Sequence, residues 1–127
     1  MENKYLVDFQ EYYSALGFKF TIQYYSNDTL QLVVKNEGGE VKTIYEDISD
    51  DASAHIIDIK IKNFLLDHIQ EKLLPYGDDL NIKRYYAPWN GFVIAGIIFS
   101  IENYKEDYTA FKKAIISFIE NVALNTK

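Results

Sequence analysis

At 127 residues the chain has single-domain length, and its 48% hydrophobic and 25% charged content excludes a disordered polypeptide. A net charge of −6 disfavours a general phosphate-backbone binder, which needs clustered Lys and Arg to displace counterions, so no nucleic-acid partner is expected and a basic partner fits better. The absence of Cys removes disulfides, a thiolate nucleophile and Cys-ligated metal, and is consistent with a reducing cytoplasm.

The start, MENKYLVDFQ, lacks a basic leader followed by an apolar run. The longest apolar run, Phe92 to Ile101, is far short of the roughly 20 residues of a membrane-spanning helix. A soluble, cytoplasmic protein without membrane contact is therefore expected.

Taken in order, residues Asn3 to Leu16 set Tyr5, Leu6, Phe9, Tyr12, Tyr13 and Leu16 at i, i+3, i+4 and i+7 spacing, and Gly17 follows as a residue able to take φ > 0. The spacing predicts an amphipathic helix. Phe18 to Tyr25 alternates Phe18, Phe20, Ile22 and Tyr24 against Lys19, Thr21, Gln23 and Tyr25, which predicts a half-buried strand ended by Asn27-Asp28. Leu30 to Lys35 continues the alternation, and Glu37-Gly38-Gly39-Glu40 turns the chain into Val41 to Tyr45. A three-stranded meander follows from this pattern.

Glu46, Asp47, Asp50 and Asp51 form an acidic patch read as a loop before a helix, where carboxylates complement the helix N-terminus and Ser49, Asp50 or Ser53 would cap it. The run lacks the alternating ligands and central Gly of an EF-hand loop, so no calcium or other metal site is expected. The helix, about Ala52 to Leu74, carries Ile57, Ile61, Phe64, Leu65, Ile69 and Leu73 as its apolar stripe, with Ile56 and Ile59 outside it. Pro75 and Gly77 end it.

Asn90-Gly91 is the pair a two-residue type I′ turn favours, and it predicts a hairpin of strands Leu80 to Trp89 and Phe92 to Ile101. That register puts Lys83, Tyr85 and Trp89 on one face with Phe92, Ile94 and Ile98, and sets Tyr85 over Gly96. Pro88, lacking a donor, would mark a sheet edge. The second strand is apolar on both faces, so something should cover each. The last helix, about Lys105 to Leu124, places Tyr108, Phe111, Ile115, Phe118 and Val122 on one face.

These elements predict one α+β domain over 1–127, in the order α-β-β-β-α-β-β-α, with one mainly antiparallel five-stranded sheet packed by three helices. The order, the length and the acidic balance resemble those of type III secretion chaperones and chaperone-like relatives, most of all through EYYSALGFKFTIQ and through FVIAGIIFSI followed by YTAFKKAIISFIENV. The resemblance implies a non-enzymatic homodimer that binds extended segments of partner proteins.

Chemistry-bearing motifs are sparse. His55 and His68 are the only side chains with unperturbed pKa near neutrality, and on one helix they lie roughly 220° apart, too far to share a site. His55 with Asp58 and His68 with Glu71 are i, i+3 pairs, which solvated helices carry routinely. No GxGxxG, GxxxxGK[ST], GxSxG or HExxH occurs, so no cofactor and no enzymatic activity is expected.

The tyrosine doublets Tyr12-Tyr13, Tyr24-Tyr25 and Tyr85-Tyr86 each direct one ring inward and one outward. The residues expected to bind a protein partner are Tyr85, Trp89, Phe92, Ile94 and Ile98, with Lys83 and Arg84 on an edge strand. The competing explanation of that apolar face is cover by the chain's own helix. A second expectation is an acidic inhibitor or immunity-type protein, of phage or mobile-element type, whose Glu46, Asp47, Asp50 and Asp51 occupy a basic site on a target.

Overall fold

The computed structural model describes residues 5–48, 54–76, 80–86 and 89–125. Four strands come first, β1 (Leu6–Ala15), β2 (Phe18–Tyr25), β3 (Thr29–Lys35) and β4 (Val41–Ile48), followed by the helix α1 (Ala54–Leu73). Three short strands follow, β5 (Lys83–Tyr85), β6 (Gly91–Ile94) and β7 (Ile97–Ser100), and the helix α2 (Tyr108–Asn125) ends the order. The class is α+β, but the expected five-stranded sheet with three helices is not what forms. The described residues hold two antiparallel sheets, β1-β2-β3-β4 and β5-β6-β7, and two helices. Backbone contacts divide the chain into two compact units, residues 1–62 and 63–127, with the boundary inside α1.

In the first unit, the segment expected to be a helix is a ten-residue strand, β1. The misleading periodicity has a physical source. Two β-bulges, between Leu6 and Asp8 and between Glu11 and Tyr13, each insert one residue into the pairing with β2. Each insertion turns a spacing of two into three, so Leu6 and Phe9 share one face three residues apart, as on a helix, while Tyr13, which the helical pattern grouped with them, lies on the other face. Leu16 and Gly17 both have positive φ, 54° and 84°, the signature of a type I′ hairpin turn rather than a helix end.

From β2 to β4 the alternation predicts the faces. Phe20, Ile22, Leu30, Leu32 and Val34 are buried on the inner face, paired Phe20 to Val34 and Ile22 to Leu32. The first half of α1 lies against this sheet: Tyr12 Oη donates to Asp58 Oδ1, and Lys60 Nζ sits 5.5 Å from the centre of the Tyr45 ring. The turn at 36–40 closes with Gly39 N–H donating to the Asn36 carbonyl. β4 runs on to Ile48, so Glu46 and Asp47 belong to a strand and not to a loop. Asp50 and Asp51, with the candidate caps Ser49 and Ser53, lie outside the described residues, as do Gly77 and Pro88.

In the second unit, the rest of α1 contributes the buried Leu65, Leu66, Ile69 and Leu73. With Ile57 and Ile61 they form a stripe at i, i+4 spacing, plus Leu66, which the pattern did not single out. The hairpin is the larger correction. Asn90-Gly91 is not its turn: Tyr85 pairs with Gly91 and Arg84 with Phe92, so Gly91 is already in strand. The tight turn is Ala95-Gly96, at φ 50° and 84°, in the middle of the apolar run read as a single strand.

Gly91 is needed for space and not for φ. A Cβ there would lie 2.0 Å from the Phe99 carbonyl oxygen. With Gly96 in the turn, Tyr85 cannot cover it, and Lys83 pairs with Val93 rather than facing Ile98 directly. The core of this unit stacks Phe92 on Phe111 at 6.2 Å and sets Phe99 5.4 Å from Phe118. α2 starts at Tyr108, later than its apolar pattern suggests, because Lys105 and Glu106 take positive φ and Asp107 Oδ1 accepts the Ala110 N–H at 3.1 Å as an N-cap.

Candidate functional site

The corrected register decides which candidate residues share a surface. β5, β6 and β7 pair as Lys83–Val93–Ile98 and Tyr85–Gly91–Ser100, so these rows occupy one face of the small sheet. Arg84, Phe92, Ile94 and Phe99 occupy the other. Of the residues predicted to bind a partner, Phe92 and Ile94 are fully buried, with Phe92 against Phe111, and do not contribute surface. Tyr85, Ile98 and Lys83 are exposed, and Trp89 is half-buried. The second face of β7 is covered at Ser100, which is buried, but not at Ile98, which is 61% exposed, contrary to the expectation that a strand apolar on both sides is buried on both.

Two aromatic rings organise this surface. Tyr85 meets Trp89 edge to face with centroids 4.8 Å apart, a geometry in which ring quadrupoles attract. Trp89 thus lies against the β5 residue Tyr85, which keeps 42% of its area exposed. Tyr86 and Ile97 are exposed beside the same hairpin.

Arg84, expected to bind a partner from an edge strand, is instead a structural clamp. Its side chain is only 5% exposed, and Nη1 donates to Asp67 Oδ1 at 2.8 Å and to Gln70 Oε1 at 3.1 Å on α1. The guanidinium lies 4.3 Å from the centre of the Tyr86 ring and 5.6 Å from that of Phe92. Nothing in the local sequence marks Asp67 or Gln70 as its partners, which are 17 and 14 positions away.

The acidic candidates are dispersed. Glu46 pairs with Gln31 and Asp47 with Leu30, so the two consecutive carboxylates point to opposite faces of the first sheet. Glu46 accepts from the Gln31 amide, while Asp47 is held by the Tyr45 hydroxyl at 2.6 Å and by the Ile48 N–H at 2.8 Å. The Tyr45 hydrogen bond, then the Ile48 N–H, lowers the Asp47 pKa from the ordinary carboxylate value.

The two histidines stay separate. His55 is exposed, and Asp58, its helical neighbour, is engaged by Tyr12. His68 is half-buried, and its pKa is lowered first by desolvation and then by Lys112 and Lys72, against an opposing pull from Glu71. Among the described residues no group of three or more His, Asp or Glu side chains is placed to hold a metal. No helix is long and apolar enough to cross a membrane among the described residues.

Sequence reasoning missed the outer face of the first sheet. β1, β2 and β3 form a wide-open groove of about 810 Å³ there, lined by Leu6, Phe9, Glu11, Lys19, Thr21 and Lys35 among others. Lys19 Nζ lies 3.3 Å from Glu11 Oε1 across the strands. The signal that would have found this surface is the Leu-Gly turn at 16–17, which suits a hairpin as well as a helix end.

Comparison with protein-family models, with curated proteins and with solved structures finds no match for this chain.

Proposed function

We propose that the protein is a small acidic, non-enzymatic protein-binding module of adaptor or chaperone type, and that it contacts its partner through the outer face of β5-β6-β7. The observation that carries this reading is the Tyr85–Trp89 edge-to-face pair, left partly open, with the exposed Ile98 on the same face of the sheet. Tyr and Trp supply large contact area at low conformational cost and are enriched among the residues that dominate binding energies. Lys83 gives this apolar patch a charged rim, the usual arrangement at an interface. The reading rests on surface chemistry and not on the element-order resemblance, because that order begins with a helix and the first described element of this chain is a strand.

The test is affinity capture from the native host with the wild-type chain and with Ile98→Glu and Tyr85→Ala, both at exposed positions. A protein recovered by the wild type and lost with both variants supports the surface. Recovery of the same proteins at the same level by all three would remove it.

A further inference from the structure

We propose a second docking element, separate from the Tyr85 surface: the free edge of β1 accepts an extended segment of another protein in which apolar residues alternate with basic ones. In the order β1-β2-β3-β4 the β1 strand is outermost, and its ten residues make it the longest strand described. Tyr5, Leu6, Val7 and Phe9 are 63, 46, 61 and 58% exposed at its start. Edge strands in monomeric proteins are ordinarily guarded by Lys, Pro or bulges; β1 carries no Lys or Pro, and its two bulges lie on either side of residues 8–11. Its charges are Asp8 and Glu11 only, and Glu11 already faces Lys19 Nζ at 3.3 Å, so Asp8 is the acidic group the edge offers beside its apolar residues.

One backbone donor shows how this edge is kept. The Phe9 N–H donates to Asp8 Oδ1 at 2.8 Å, a bond to an exposed side chain rather than to another strand. The opposite edge has the same device, with the Ile48 N–H on Asp47 Oδ1, but there the carboxylate is also tied by the Tyr45 hydroxyl, and β4 carries Lys42. Asp8 has no such second tether among its described contacts, which makes β1 the more easily opened edge.

An incoming strand replaces the Asp8 carboxylate with a backbone carbonyl on Phe9 N–H. The released carboxylate then meets a Lys or Arg of that strand, while alternate apolar side chains lie beside Leu6 and Phe9 at the groove. Main-chain bonds supply affinity and the alternate side chains supply selection. The bulges at either end leave Asp8–Glu11 as the uninterrupted run, so the paired stretch is about four residues long.

The test uses a fluorescently labelled ten-residue peptide alternating valine and lysine, read by anisotropy against the intact chain. Two controls are a valine–glutamate peptide and the valine–lysine peptide N-methylated at every residue, which leaves neither edge of the peptide a backbone donor. Saturable binding that falls about tenfold or more with either control and with Phe9→Lys supports the proposal. It should be unchanged by Val41→Lys on the opposite edge and by Tyr85→Ala on the other surface, so its success does not depend on the function proposed above.

No saturable binding, equal binding of the N-methylated peptide, or an equal loss with Val41→Lys overturns it. So does a homodimer in light scattering that Phe9→Lys dissociates, which would assign the edge to a second copy. Should Phe9→Lys not fold, the N-methylated control on the wild-type chain decides the matter alone.

Discussion

Tyr12 Oη donates to Asp58 Oδ1 at 2.8 Å, joining β1 to the first half of α1 across 46 positions of sequence. The bond takes Asp58 away from His55 as a partner. It also keeps the Tyr12 phenol protonated: burial first, then the hydrogen bond and charge of Asp58, raise its pKa above the ordinary 10.0. A folded-state pKa above the unfolded one contributes stability that is present below pH 10 and lost as pH rises through the folded value. Tyr12→Phe should cost about 0.5–1.5 kcal/mol at neutral pH by urea denaturation, toward the low end because the pair is exposed. It should also lessen the stability lost above pH 10.

Glycines 39 and 91 separate two reasons for a missing side chain. Gly91→Ala forces a Cβ to within 2.0 Å of the Phe99 carbonyl oxygen, so β6 and β7 must part. A loss of about 3 kcal/mol or more is expected, large enough to leave much of the chain unfolded. Gly39 has φ +86° and open space around it, and Gly39→Ala should cost only about 1 kcal/mol, the strain of the left-handed backbone. Equal losses in thermal denaturation would show that the close strand approach at Gly91 is wrong.

The corrected hairpin register assigns opposite roles to two residues once expected on one face. Phe92→Ala should cost about 3–5 kcal/mol, because a fully buried ring stacked on Phe111 leaves a cavity. Ile98→Ala should change stability by less than about 0.5 kcal/mol, since its side chain is exposed. Comparable losses for the two variants in denaturant titrations would restore the register centred on Asn90-Gly91, which puts both residues on one face.

His68 should make folding sensitive to mild acid. Its folded pKa lies below the ordinary 6.5, through desolvation first and then Lys112 and Lys72. The unfolded chain therefore takes up a proton before the folded one does, and stability present above pH 6.5 declines as pH falls from there toward the folded value. His68→Gln should flatten the melting temperature between pH 7 and pH 5 relative to the wild type. A wild-type profile already flat over that interval would dismiss the effect.

Arg84 is held by Asp67 and Gln70 while its Nη2 is buried without a hydrogen-bond partner among the described residues. Asp67→Ala removes the carboxylate that compensates this buried charge and should destabilise by about 1–3 kcal/mol, more than an exposed ion pair would. Arg84→Lys should also destabilise, because an ammonium cannot keep the paired donors and the stacking on Tyr86 together. Chemical denaturation of both variants measures this, and a change within 0.5 kcal/mol in each would reduce the cluster to surface decoration.

The amino-acid sequence by itself determined what local periodicity can determine. The alternation from Phe18 to Lys35 sets the buried face Phe20, Ile22, Leu30, Leu32 and Val34, and the four-residue spacing from Ile57 to Leu73 sets the buried stripe of α1. Both are regular repeats, and burial follows directly from them. Tertiary structure decided the rest wherever the repeat is broken or the turn is ambiguous. Two bulges give β1 a helix-like spacing, and only pairing with β2 reveals it as a strand. Asn90-Gly91 and Ala95-Gly96 both suit a tight turn, and the contact between Gly91 and the backbone of Phe99 selects the second. That choice moves Phe92 and Ile94 into the core and leaves Tyr85 and Ile98 outside, so the candidate surface depends on a long-range backbone approach that local pattern does not encode.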